Sequence, residues 1–397
     1  MIYLLLFLFL LIPVIRYDIL AKKGGEDIWY GLSFVFLVAV AGLRYRVGGD
    51  TLVYMAEFNM YPKLDELRYF DFETARFNPL WYILNAFCRS VSDDFLFFQL
   101  LHALIVNYSF FRFFRKYCQY YYFTAILVWF VGYWCYFSME ILREILCISM
   151  LLWAVDWLLE KKLVKYYIVC IIALFMHYSA VIMLFFPLMY VVFKRPNWVF
   201  QLIILAGVIC FTRLIDLASL IIGTFSLNDQ LRIVLENYFE VDSKNLTGIL
   251  FELVKYLPVL GIIWLRERNG SDDEYDFVPI ISCMVIFTGF STYVGVASRF
   301  LNYFAPFFVV VFVNTVYGLL TMAEGWKNRH VSAVVTVLVL FVVSFEYIFY
   351  YTKDQSDIYP DTRRYSIFVP YHTVFNPVVE EKRESYVENL RDFAIFF

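Results

Sequence analysis

Apolar runs recur along the whole chain, at roughly 1–15, 28–43, 79–91, 95–111, 121–137, 143–159, 163–176, 179–193, 198–220, 249–265, 277–293, 300–322 and 331–350. A soluble fold of 397 residues has no interior large enough to hide them, so most of this surface must face lipid. Hydrophobic residues make up 62% and charged residues 17%, against about 45–50% and about 25% in soluble domains. Several runs fall short of the ~20 residues that cross ~30 Å of hydrocarbon. Flanking Tyr, Trp, Lys and Arg extend such helices into the interface. The expectation is an all-α polytopic membrane protein with about 12–13 transmembrane helices. Residues 1–350 form one polytopic domain with outer loops near 44–78 and 221–248, and the polar tail 351–397 packs over one face. The first fifteen residues lack a basic leader and a small-residue cleavage site, and read as a retained span.

Basic residues set the orientation. If the 79–91 run lies in the interface or re-enters without crossing, fifteen of the 33 Lys and Arg gather in six short loops on one side. They are Arg16/Lys22/Lys23, Arg112/Arg115/Lys116, Lys161/Lys162/Lys165, Lys194/Arg195, Arg266/Arg268 and Lys327/Arg329. By the positive-inside rule that side is cytoplasmic. If 79–91 crosses, everything before it changes side.

The net charge of −3 argues against a nucleic-acid surface. Seven widely spaced Cys without a CxxC argue against a disulfide framework or a zinc site. The chain carries no P-loop, GxSxG, HExxH or paired-carboxylate metal motif, which speaks against ATP-driven transport. No metal and no cofactor are expected.

What remains are polar residues at the ends of apolar runs. Arg44-Tyr-Arg46-Val-Gly-Gly-Asp50 ends one run and leads to Tyr54. Its glycines permit positive φ, Asp50-Thr51 can cap the next helix, and the arginines suit an anionic group. An interfacial turn with snorkelling arginines has the same composition. Glu140, Arg143 and Glu144 share one face if a helix runs through them, offering either a phosphate ligand or a local ion pair. His177 and Ser179 interrupt the 163–193 apolar stretch, where an ionisable group at membrane depth faces a cavity more often than lipid. Arg299, Asn302 and Tyr303 share a face at the mouth of the 300–322 run. The pairs Arg213/Asp216 and Glu252/Lys255 read as mutual neutralisation, and Asp156 and Glu346 likewise. Arg363-Arg364-Tyr365 and Pro370-Tyr-His-Thr373 read as a structural tail, and 380–393 as a solvated helix face.

In order and spacing, Arg44-Tyr-Arg-Val-Gly-Gly-Asp50 to Tyr54, Asn78-Pro79-Leu80, Glu140-Ile-Leu-Arg143-Glu144, Lys161-Lys162, His177-Tyr-Ser179 and Arg299-Phe-Leu-Asn-Tyr303 resemble the EpsG family of Wzy-type bacterial polysaccharide polymerases. Asn78-Pro79-Leu80 departs from that family's frequent Glu-Pro-Gly. Arg143-Glu144 departs from its Arg-Gln, which leaves the partner of Arg143 open. The resemblance implies a metal-independent membrane glycosyltransferase of GT-C-like architecture in the bacterial inner membrane, active on the periplasmic face, making O-antigen, capsule or exopolysaccharide. It would transfer the nascent glycan from undecaprenyl diphosphate to a hydroxyl of the next lipid-linked unit. Arg143 and Arg299, with Arg44 or Arg46, would neutralise the diphosphate, and His177 would act as base. Asp50, Tyr54, Glu140, Ser179 and Tyr303 would bind substrate. The implied partners are the undecaprenyl-diphosphate-linked oligosaccharide, membrane lipid, a chain-length regulator and a flippase. A lipid-linked oligosaccharide flippase, an O-antigen ligase or an acyltransferase would carry a similar arginine and histidine set.

Overall fold

The computed structural model describes residues 1–72, 75–118, 121–193, 197, 199–204, 207, 261, 263–264, 276–291, 295–322, 364–385 and 387. The expected runs near 198–220, 249–265 and 331–350, the outer loop 221–248, and Arg213, Asp216, Glu252, Lys255, Glu346 and Arg363 lie wholly or mostly outside them. The described residues are helical, with no strand beyond two isolated bridges. The chain is a polytopic membrane protein. Its segments Ile2–Ile19, Phe95–Tyr117, Tyr122–Met139 and Arg299–Tyr317 are long and apolar enough to cross a bilayer, and Leu163–Leu174 and Tyr178–Val192 are shorter apolar helices.

Two compact units form, Met1–Ala180 with Leu319–Phe397, and Val181–Gly318. The first holds α1 (Ile2–Pro13, continued by a π turn Val14–Ile19), α2 (Glu26–Gly42), α3 (Gly49–Glu57), α4 (Pro79–Val91) and α5 (Phe95–Tyr117). It continues with α6 (Tyr122–Trp129), a π turn Phe130–Trp134, α7 (Cys135–Met139), α8 (Leu142–Leu159) and α9 (Leu163–Leu174). Local chemistry sets the boundaries. Glu26 and Asp27 open α2 at the positive end of its dipole. Pro79 is the first residue of α4, where no N–H is needed. The Asp94 carboxylate accepts the Leu96 amide at 2.9 Å to start α5, and Arg115 and Lys116 sit in its last turn.

Helix α5 packs on α2 and α8, and α8 on α9. Lipid is as apolar as the helix surfaces, so close packing and polar links hold such a bundle. Gly42 lets α5 approach: a Cβ there would lie 2.7 Å from a Leu100 methyl. Gln99 Nε2 donates to the carbonyls of Gly42 and Arg44 at 2.7 and 2.8 Å, and Trp134 Nε1 donates to Asn107 Oδ1 at 3.0 Å. Phe110 stacks on Trp129 at 4.6 Å, worth about 0.5–1.5 kcal/mol beyond its area.

The two ends of the unit differ. At one, Asp27 pairs with Arg115 at 2.5 Å, and Asp156 with Arg112 and with Lys116 at 3.0 Å. Asp156 is thus paired between helices, from α8 to α5. The loops carrying Lys22 and Lys161, and the last turn of α5 with Lys116, share this basic end. At the other end, the site end, lie the chain between α2 and α3, the start of α5, the α7–α8 junction and the tail. Tyr3 at the start of α1 reaches it as well, donating to the Phe368 carbonyl at 3.2 Å.

Helix α4 runs from the site end back to the site end. Asn78 Nδ2 donates to the Leu174 carbonyl at 2.9 Å, and the Leu80 amide to Phe175 at 2.8 Å. At its other end Ser90 Oγ accepts the Leu64 amide at 2.9 Å, and Arg89 donates to the Tyr61 carbonyl. Thirteen residues span about 20 Å, so α4 lies across this end, burying Trp81, Asn85 and Cys88 and exposing Ile83, Phe87 and Val91.

The second unit contains most of a 3-10 segment (Tyr178–Phe185) leading into α10 (Phe186–Val192), then α11 (Val278–Ser291) and α12 (Gly295–Met322) as far as Gly318. Phe186 stacks on Phe304 at 5.4 Å, and Phe277 meets Phe307 at 5.1 Å. An apolar cavity of about 400 Å³ lies among Val181, Phe185, Met189, Cys283, Phe287 and Phe300.

Candidate functional site

The site-end loop 43–49 is shaped by its first arginine. Arg44 is 1% exposed. Its guanidinium donates to the Ala41 carbonyl, to the Val47 carbonyl at 3.0 Å and to Thr51 Oγ1 at 2.8 Å. It therefore closes the C-terminus of α2 and the turn after it. Burial pulls its pKa down to about 10, which leaves it charged at neutral pH. Gly48 holds φ +101°, and a Cβ there would stand 2.3 Å from the Met139 carbonyl oxygen. Only glycine permits this contact between loop and α7. Asp50 and Thr51 do not cap α3. Gly48 is its N-cap and no side chain serves it. Thr51 instead donates to the Met139 carbonyl at 3.0 Å while accepting from Arg44.

Arg46, at φ +51°, turns to the tail and forms a fork with Glu384 at 2.5 and 2.6 Å. That hydrogen bond raises its pKa. Arg383 beside it is 1% exposed and donates to the carbonyls of Ser366 at 3.0 Å, Arg46 at 2.7 Å and Pro370. The Gly48 amide donates to Ile367 at 3.1 Å, Tyr45 to His372 at 2.9 Å and Val374 to Leu43 at 3.0 Å. Residues 380–385, expected as a solvated helix face, are docked here because these buried carbonyls need donors. Nothing local in the sequence marks Arg383 or Glu384 as partners of a loop near residue 46.

The helix expected through Glu140 and Arg143 is broken. Helix α7 ends at Met139 and α8 begins at Leu142, so the two side chains diverge. Arg143 Nε donates to the Tyr54 hydroxyl at 2.8 Å, and its guanidinium lies 4.1 Å from the centre of the Phe77 ring. It makes no ion pair among the described residues. Tyr54 is thereby the partner of Arg143, and Phe77, which carries no polar signal, is its second support. Burial is the main cause raising the Tyr54 hydroxyl pKa, with Asp50 adding to it. Glu140 is 8% exposed; Oε2 lies 3.7 Å from Arg364 of the tail, and Oε1 has no hydrogen-bond partner among the described residues. Burial, helped by Asp50 and opposed by Arg364, raises its carboxyl to about 7.

His177 stands at the C-terminal end of α9, 1% exposed. Its Nδ1 is 2.6 Å from Ser179 Oγ and accepts the Ser179 amide at 3.2 Å. That acceptance places the proton of the neutral ring on Nε2. The base tautomer would need the amide turned away. Cys147 Sγ lies 3.4 Å from the Ala173 carbonyl, which also accepts the His177 amide at 3.0 Å. Cys147 is one turn after Arg143 on α8, so the histidine sits level with Arg143 on the neighbouring helix. Arg44, Arg46, Asp50, Tyr54, Glu140, Arg143, His177 and Ser179 thus gather at the site end of the first unit. Arg299 and Tyr303 belong to the second unit, one turn apart on α12, with Tyr303 fully buried.

The EpsG family model matches residues 27–372. No curated protein and no solved structure matches the chain.

Proposed function

Because the chain belongs to the EpsG family, a Wzy-type polysaccharide polymerase family, we propose that it extends a glycan carried on undecaprenyl diphosphate. The nascent chain moves from its carrier to a hydroxyl of the next lipid-linked repeat unit, on the periplasmic face of the bacterial inner membrane. The fold around the site is then of GT-C-like type. The observation that carries this reading is Arg143. Its guanidinium is oriented by Tyr54 and Phe77 and has no carboxylate partner among the described residues. A planar cation held in place and not neutralised is suited to a diphosphate. Arg44 is engaged by its own loop and Arg46 by Glu384, so these two shape the site around Arg143.

In this reading Arg143 neutralises the diphosphate as its bond to the anomeric carbon breaks. Positive charge comes from guanidinium groups, with no metal required. His177 and Ser179, fixed in the interruption after α9, bind the acceptor side, with Asp50 contributing to sugar binding. A flippase and a chain-length regulator supply units and limit the product.

Deleting the gene and analysing the lipid-linked glycans tests the reading in cells, where single repeat units should accumulate. With those units as substrate, the purified protein in lipid nanodiscs should build a ladder of carrier-bound polymer. Arg143→Ala should slow that by about 10²–10³-fold, the effect of removing one transition-state donor. A full ladder from Arg143→Ala would refute the assignment.

A further inference from the structure

Buried carboxylates are almost always fully hydrogen-bonded, because an unmade bond on a buried charge is costly. Glu140 departs from this. It is 8% exposed, Oε1 accepts nothing among the described residues, and Oε2 has Arg364 only at 3.7 Å. The backbone holds it there: the Glu140 amide donates to Tyr136 at 3.0 Å and its carbonyl accepts the Leu142 amide at 3.1 Å. The break between α7 and α8 therefore fixes an under-satisfied acid three residues before Arg143. Asp50 at the start of α3 acts on both Glu140 and Tyr54, the residue that orients Arg143. The acid and a cation unpaired among the described residues thus border one loop.

Resting on the polymerase reading above, we propose that Glu140 is the general base of the transfer and takes the proton of the acceptor hydroxyl. Oε1 is buried and lacks a donor among the described residues, and a sugar hydroxyl supplies one when the carboxyl turns toward the acceptor. As the hydroxyl oxygen bonds to the anomeric carbon of the nascent chain, its proton moves to Glu140. The bond from that carbon to the diphosphate oxygen breaks, and the electron pair leaves with the diphosphate beside Arg143. Glu140 then releases the proton to water. His177 is less suited to this step, since Nδ1 accepts the Ser179 amide and the ring proton occupies Nε2.

The electrostatics agree with the geometry. Charged and titratable groups acting on this carboxyl among the described residues are Asp50 from α3, Arg364 from the tail and Cys135 from α7. Burial dominates, and the carboxyl titrates at about 7, where a base is both available and strong enough at neutral pH.

The test uses the full-length protein in nanodiscs with lipid-linked repeat units. Wild-type kcat should rise with pH through about 7 as Glu140 ionises. Glu140→Gln should lower kcat by about 10²–10⁴-fold and lose the ascending limb, with KM changed only a few-fold. Glutamine removes the buried ionisation, so this variant should fold. Glu140→Asp should retain the limb at a reduced rate. A Glu140→Gln protein that keeps its rate, or keeps the limb at a lower rate, overturns the inference, and the polymerase reading survives. Wild-type protein that leaves single units unextended overturns the polymerase reading itself.

Discussion

At the scale of single residues, polar side chains at the site end divide by what already satisfies them. Arg44 and Thr51 are engaged by backbone and by each other. Gly48 belongs with them, because the loop meets α7 through its missing Cβ. Gly48→Ala should destabilise the protein by about 1–3 kcal/mol, combining a positive φ with a contact of 2.3 Å; thermal unfolding in detergent reads the loss. Glu140 contributes in the opposite sense to most carboxylates. Its folded pKa of about 7 lies above the ordinary 4.5, so between those values the folded state holds a proton that the unfolded state has lost. Stability should therefore fall from about pH 4.5 to about 7, by on the order of 3 kcal/mol, and level off above. Unfolding across that window should show this slope in the wild type and a flatter profile in Glu140→Gln. Equal slopes would count against a buried, proton-holding Glu140. The sequence marked Arg143 and Glu140 by their charge in an apolar setting. It did not separate them, because apolar residues continue unbroken through 141–142 and hide the interruption between α7 and α8.

At the scale of elements, the apolar runs located most of the described helices, though not α3, since a helix in lipid needs little beyond length and composition. They could not decide which helices cross. Helix α4 is apolar enough to suggest a span, yet both its ends are tied at the site end, to Leu174 and Phe175 at one and to Leu64 at the other. Single cysteines at Arg76 and Asp93 should both react with an impermeant maleimide from one face of sealed vesicles. A cysteine at Lys162 should react only from the other face. Opposite labelling of positions 76 and 93 would mean that α4 crosses.

At the scale of the whole chain, the tail completes the site. Tyr371 donates to the Val40 carbonyl at 2.8 Å, and Thr373 bridges to Arg44. Arg383 gathers three carbonyls, and Glu384 grips Arg46. A double-mutant cycle on Arg46→Ala and Glu384→Ala should give a coupling of about 0.5–3 kcal/mol in unfolding free energy. It should lie toward the lower part of that range, because the pair is 27% and 22% exposed. Additive effects would show that the tail docks without this fork. The contacts of this layer, though not the expectation that the tail packs over one face, were illegible beforehand: contacts between residues far apart in sequence leave no periodicity and no local motif, and 380–393 has the charge density of an ordinary solvated face.

The fork between Arg46 and Glu384 joins positions 338 residues apart. A ribosome adding 5–20 residues each second makes the second partner roughly 17–70 s after the first. Throughout that interval the early helices can insert while the loop between α2 and α3 stands without the segment that closes it. Assembly of the site is timed by translation: a chain caught midway in synthesis presents lipid-facing helices to the membrane, but not a finished pocket to its carrier-bound substrate.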